Sequence, residues 1–97
     1  MVKTKPIITD NMAECILPYC KRTDVHWHHV FFGTANRKLS DQYGLIVPLC
    51  LEHHEGLTGV HRCRAVDIKV KQMGQRAFEE KIGSREDFMK IFGRNYL

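Results

Sequence analysis

The sequence predicts an α+β fold: two short strands, tied together by a Cys/His metal knuckle and followed by C-terminal helices. Three observations predict it. All six histidines and four cysteines of the 97-residue chain fall between Cys15 and Cys63. Two runs, Val25–Phe32 and Leu45–Leu49, carry the β-branched, aromatic and apolar residues that strands favour. Beyond Cys63, apolar residues recur at helical spacing.

The elements follow in order. Residues 1–13 contain Pro6 and no period, and read as an irregular lead-in. Val25–Phe32 (VHWHHVFF) is the first strand. Gly33–Gly44 (GTANRKLSDQYG) is polar and bounded by glycines, so it reads as a loop with at most a helical turn around Arg37–Ser40. Leu45–Leu49 is the second strand, which Pro48 confines to an edge or an end. Cys50–Glu55 suits a turn entering a helix, and Gly56 and Gly59 argue against a long one. Val66, Val70, Met73 and Ala77 then draw one helical stripe. Gly74 weakens that stripe, and Val66, Ile68 and Val70 also fit strand alternation. A second short helix starts near Ser84, with Asp87 at the capping-box position and Phe88, Ile91 and Phe92 as its apolar face. The expected organisation is one domain, 1–97: lead-in 1–13, knuckle and core 14–62, helical tail 63–97.

A domain of this length lies near the lower limit for a self-sufficient core and benefits from a staple. Its 43% hydrophobic content argues against disorder. Met1–Asn11 lacks the apolar stretch of a secretion signal, and no run approaches a membrane span, so the expected compartment is the cytoplasm. There, knuckle-spaced cysteines read as zinc ligands rather than disulfides. The net charge of +4 resides in residues 62–97, where nine Lys/Arg face five Asp/Glu. That excess is compatible with a phosphate-backbone partner.

Tetrahedral zinc takes four ligands, commonly as two short-spaced pairs. Cys15/Cys20 (C-x4-C) supplies one pair and Cys50/His53 (C-x2-H) the other. Cys63 is left over as a buried or spare thiol, with replacement of His53 as the alternative. Adjacent strand residues point to opposite faces, so of His28 and His29 one can hold an ion while the other stays free. A free imidazole beside a metal-bound phosphate is a good general base. His54, directly after His53, can face the other way and complete that site. His26 reads as a partly exposed strand residue, with a contact to the site as the alternative. Trp27 is expected to pack against the helical tail rather than to stack on a base.

The pattern C-x4-C … HHV … VPLCLEHH resembles the HNH (ββα-metal, His-Me finger) endonuclease superfamily, in the subset carrying a zinc knuckle. The resemblance covers roughly Cys15–His61. It extends in flavour to small bacteriophage HNH proteins and to the RecA-dependent nuclease domain of phage recombination-enhancement proteins. It implies a small ββα-metal core in which His28 and His54 ligate the catalytic ion and His29 activates water. The Asn of the family name falls where this chain has Tyr43, Gly44, Leu45 and Ile46. Asn36 is the remaining candidate for holding the base, against a solvent-facing loop role. A further ligand often follows one helical turn after the last His; that position is Thr58, and His61 is the substitute candidate, against a phosphate contact or a surface role. Arg37 and Lys38, and Arg62 and Arg64 beyond them, are candidate phosphate contacts.

The resulting expectation is a metal-dependent DNA endonuclease with structural Zn²⁺ and catalytic Mg²⁺ or Mn²⁺. DNA is its expected partner, and a recombination or packaging protein is a further candidate. The competing expectation is a zinc-stabilised nucleic-acid-binding or adaptor module without hydrolysis.

Overall fold

The computed structural model describes residues 5–97; the first four residues of the expected lead-in lie outside that range. The elements are β1 (Val25–His29), α1 (Thr34–Tyr43), β2 (Ile46–Cys50), α2 (Leu51–His54), α3 (Arg64–Lys81) and α4 (Arg85–Phe92). The strands pair antiparallel, with Val25 opposite Cys50, Trp27 opposite Pro48 and His29 opposite Ile46. The α+β class is therefore present. The order, however, is β-α-β-α rather than two consecutive strands and a helix, because α1 lies between the strands.

α1 replaces the expected loop. Its sequence is polar because only one narrow side meets protein: Leu39 and Tyr43 pack against the core. Ser40 is fully buried, accepting a hydrogen bond from the Phe31 N–H (3.1 Å) and donating one to the Phe31 carbonyl (2.7 Å). A buried serine doubly bonded to backbone substitutes for the apolar residue that periodicity seeks. The first strand also ends early, at His29. Val30 and Phe31 continue into the core, with Val30 donating its N–H to the Leu45 carbonyl (3.0 Å).

β2 is buried along its whole length. The knuckle segment lies against it, with Ile16 donating to the Pro48 carbonyl (2.8 Å). Pro48 has no N–H to give, so this contact uses its carbonyl only.

The tail is helical, which resolves the Val66–Val70 ambiguity. Gly74 sits inside α3 because a Cβ there would lie 2.9 Å from Val30 Cγ1 and 3.0 Å from Phe31 Cε2. The helix thus approaches the strand end more closely than any larger residue permits. α4 begins with the expected capping box: Asp87 N–H donates to Ser84 Oγ (3.1 Å), and Ser84 N–H to Asp87 Oδ2 (3.0 Å). Phe31, Phe78, Phe88 and Phe92 form the aromatic centre, with ring centroids 4.6–5.4 Å apart for Phe31–Phe92, Phe31–Phe88 and Phe78–Phe88. Such tilted and edge contacts suit aromatic quadrupoles.

Trp27 departs from expectation. The tail helices pack on Val30 and Phe31, beyond the end of β1, so Trp27 is left 52% exposed instead of joining the core. No helix among the described residues is long and apolar enough to cross a membrane.

Candidate functional site

Two clusters of metal-ligand type converge in different parts of the core. The first contains Cys15, Cys20, Cys50 and His53, whose ligand atoms all lie within 4.8 Å of one another; these residues sit close enough to hold a metal ion. The three cysteines are buried and form no disulfide. The knuckle turn presents Cys15 and Cys20: Cys15 N–H donates to the Arg22 carbonyl (3.0 Å) and Cys20 N–H to the Leu17 carbonyl (2.9 Å). Cys50 ends β2, and the short α2 places His53 beside it.

The spacings can be set against a zinc tetrahedron. Zn–S bonds of about 2.3 Å and Zn–N bonds of about 2.0–2.1 Å at tetrahedral angles require S···S edges of about 3.8 Å and S···N edges of about 3.6 Å. The Cys20 Sγ···Cys50 Sγ edge is 3.8 Å, and the Cys15 Sγ···His53 Nδ1 edge is 3.6 Å. Cys50 Sγ···His53 Nδ1, at 3.2 Å, is somewhat shorter. Burial pushes the Cys15 thiol up to about 11, whereas the hydrogen bond from the Arg22 backbone pulls Cys20 below the ordinary thiol value. A cation would reverse the first shift, since a coordinated thiol is deprotonated. Cys63 belongs to neither cluster and occupies the N-cap of α3.

The second cluster contains His28, His54 and His61, whose ligand nitrogens likewise lie within 4.8 Å of one another. Their ring centroids are 5.0–5.4 Å apart. His28 comes from β1 and His54 from the end of α2. His61 returns through the loop after α2, where Val60 N–H donates to the His53 carbonyl (2.8 Å). The loop passes tightly over α2: a Cβ on Gly59 would meet the Glu52 carbonyl oxygen at 2.7 Å and the His53 carbonyl carbon at 2.8 Å. Thr58 is engaged elsewhere, donating its N–H (3.1 Å) and hydroxyl (2.6 Å) to Glu52 Oε2.

His28 Nε2 and His54 Nδ1 are buried and lack any hydrogen-bond partner among the described residues. Buried polar atoms are ordinarily satisfied, so these two point to a group that completes them. Burial, reinforced by the neighbouring His54 and His61, pulls the His28 imidazole down to about 3. Burial and His61 also lower His54. Neutral imidazole is the form that binds metal.

His29 lies next to this cluster. Its Nε2 is 2.8 Å from Asp41 Oδ1 on α1, with both side chains about a quarter exposed. With Nε2–H donating to this carboxylate, the nitrogen left free for chemistry is Nδ1. Asn36, expected to fill the supporting role, lies half-buried in the first turn of α1, and the hydrogen-bond partner of His29 is Asp41. Nothing in a polar, glycine-bounded segment expected to be a loop singles out Asp41. As a helix, that segment projects its third turn back onto β1.

An open cleft of about 650 Å³ joins these groups, lined by His28, His29, His54 and His61 together with Arg37 and Lys38. Arg62 and Arg64 are exposed but are not among the lining residues. His26 is exposed and packs edge-on to His54, with centroids 5.7 Å apart. Lys71, which carries no motif signal in the sequence, also approaches the site. Its ammonium stands 4.3 Å over the Phe32 ring and pairs with Asp67 at 2.8 Å, close enough to His28 to help depress it. Compared with known proteins, the chain matches no family model, no curated protein and no solved structure.

Proposed function

We propose that the chain is a metal-dependent endonuclease acting on DNA phosphodiesters, with a structural zinc at Cys15, Cys20, Cys50 and His53 and a divalent ion at His28, His54 and His61. One observation carries the reading: two buried, unpartnered imidazole nitrogens and a third converge in a basic cleft, beside a histidine already held by a carboxylate. Packing alone gives no reason to bury His28 Nε2 and His54 Nδ1 unsatisfied at the same point. The zinc reading rests on the tetrahedral edge lengths, and the HNH likeness on the order of the histidines along the chain.

The donor set fits a borderline divalent ion better than hard Mg²⁺: three neutral imidazoles bind Zn²⁺ or Ni²⁺ with good affinity and leave open positions for phosphate oxygen and water. Such an ion, when bound, supplies Lewis-acid stabilisation of charge on the phosphate and on the departing 3′ oxygen. The rest falls to the chain. Asp41 orients His29 and holds a proton on Nε2, so that Nδ1 takes a proton from water as the water attacks phosphorus. Arg37 and Lys38 hold flanking phosphates, making binding weaker as salt rises. The knuckle ties β2 to the segment before β1 and so fixes the strand that carries His28 and His29.

The test is plasmid cleavage by the zinc-loaded chain with Mg²⁺, Mn²⁺ or EDTA, beside His29→Ala. Metal-dependent nicking that His29→Ala abolishes, at unchanged zinc content and circular dichroism, is the expected result. No cleavage with any divalent ion would transfer the site to the binding-module reading.

A further inference from the structure

The rim of the cleft carries a feature that hydrolysis itself does not use. Trp27 stands 52% exposed there, beside Arg37 and Lys38. Among the described residues no aromatic ring and no cation engages its indole. Phe32, on the same rim, is occupied: Lys71 covers its ring at 4.3 Å, and His61 lies 5.2 Å away. One aromatic is thus a supporting wall, and the other is a bare platform.

The platform adjoins groups suited to a backbone. α1 opens at Thr34 on the cleft wall, with no side chain capping its first N–H groups and no acidic residue in its first turn. A helix start of this kind favours anions. His28 Nε2, buried in the same cleft, is already assigned to the proposed metal ion, so the helix start only adds to Arg37 and Lys38 and makes no site alone. Cations and helix N–H groups match phosphate, while the indole face matches a base. In a duplex, neighbouring base pairs cover both faces of each base, and only edges are open in the grooves. An indole face is therefore matched by a base released from pairing.

We infer that the cleft takes a single-stranded or locally unpaired stretch of nucleic acid, with one base stacked on Trp27 and its flanking phosphates on Arg37 and Lys38. This rests on reading the cleft as a phosphodiester site, and it adds the substrate class: unpaired strands, frayed ends or flaps rather than intact duplex.

Trp27 is the single tryptophan of the chain, so its fluorescence reports stacking directly. The zinc-loaded 97-residue chain, without added Mg²⁺ or Mn²⁺, is titrated with short oligo(dT) and with a duplex of equal length at the same salt. Oligo(dT) should quench the emission strongly and the duplex only weakly. Trp27→Ala should weaken oligo(dT) binding, followed by anisotropy of a labelled strand, about 5-fold to 150-fold, the effect of one lost base stack, while Trp27→Phe recovers part of it. Oligo(dT) binding without quenching, equal quenching by duplex, no oligo(dT) binding, or unchanged affinity of Trp27→Ala overturns the inference. The wild-type quenching comparison stands even if Trp27→Ala fails to fold. Single-strand quenching in a chain that cuts nothing would sink the hydrolytic reading and leave this one standing. Cleavage without quenching would do the reverse.

Discussion

Replacing Cys20 with serine removes one edge-defining sulfur from the knuckle while changing the side-chain volume little. Its sulfur is 3.8 Å from that of Cys50, in a buried environment, so no neighbouring donor among the described residues stands ready to replace it. The magnitude follows from two scales. A structural zinc contributes roughly 10–16 kcal/mol of apparent binding free energy in small zinc domains. A chain of 97 residues is stable by only roughly 5–15 kcal/mol in all. The segment from Cys15 to Asp24 has no regular secondary structure and reaches β2 through the Ile16–Pro48 hydrogen bond and the cysteines. If the variant forfeits even a third of the lower zinc figure, about 3 kcal/mol, the melting temperature falls by roughly 12–24 °C, at about 4–8 °C per kcal/mol for a domain of this size. The assay pairs zinc content by mass spectrometry of the metal with thermal unfolding by circular dichroism. A Cys20→Ser chain that keeps one zinc and melts within about 4 °C of wild type would refute the tetrahedral assignment.

Other outcomes follow from the same geometry. Asp41→Asn should keep the fold and the zinc but lower the cleavage rate at least about tenfold with little change in KM, because the wrong tautomer of His29 is no longer disfavoured; an unchanged rate would remove Asp41 from the site. Gly59→Ala forces a Cβ against the α2 backbone and should cost roughly 1–3 kcal/mol. It should also weaken Mn²⁺ binding at His61 more than zinc retention by the knuckle, and equal losses would argue against that coupling. Asp87 offers a pH test: the Ser84 backbone N–H holds its carboxyl below the ordinary carboxylate value. Its folded pKa is depressed, so its stabilisation of α4 is present above the unfolded value near 3.8 and is lost as pH falls through the folded one. Asp87→Asn should therefore flatten the acid limb of the stability curve, and a parallel limb would contradict the cap.

Much of the site was legible because metal ligation constrains residue type and spacing together. Cys15, Cys20, Cys50 and His53 could be paired from their separations alone, and the structure brings those four atoms together. The α4 cap was legible for a similar reason, since Ser84 and Asp87 act over three residues. What escaped was set by tertiary packing. α1 hides its contact face in a buried serine rather than an apolar stripe, so Asp41 was lost with it. Trp27 looked like core by residue type, yet the helices found Val30 and Phe31 instead, through the room left at Gly74. His61 was ambiguous because a loop, not a helix, returns it to His54. Lys71 lies far along the chain in a helix whose face could be read, but its neighbours could not.

Two separate metals, one for the fold and one for the chemistry, are the proposed working state of this small chain. The most direct measurement is anomalous scattering from crystals of the zinc-loaded chain soaked in Mn²⁺. A zinc peak is expected inside Cys15, Cys20, Cys50 and His53, and a separate manganese peak bounded by His28 Nε2, His54 Nδ1 and His61. A zinc shared by all the histidines, or manganese sites only elsewhere, would contradict this assignment.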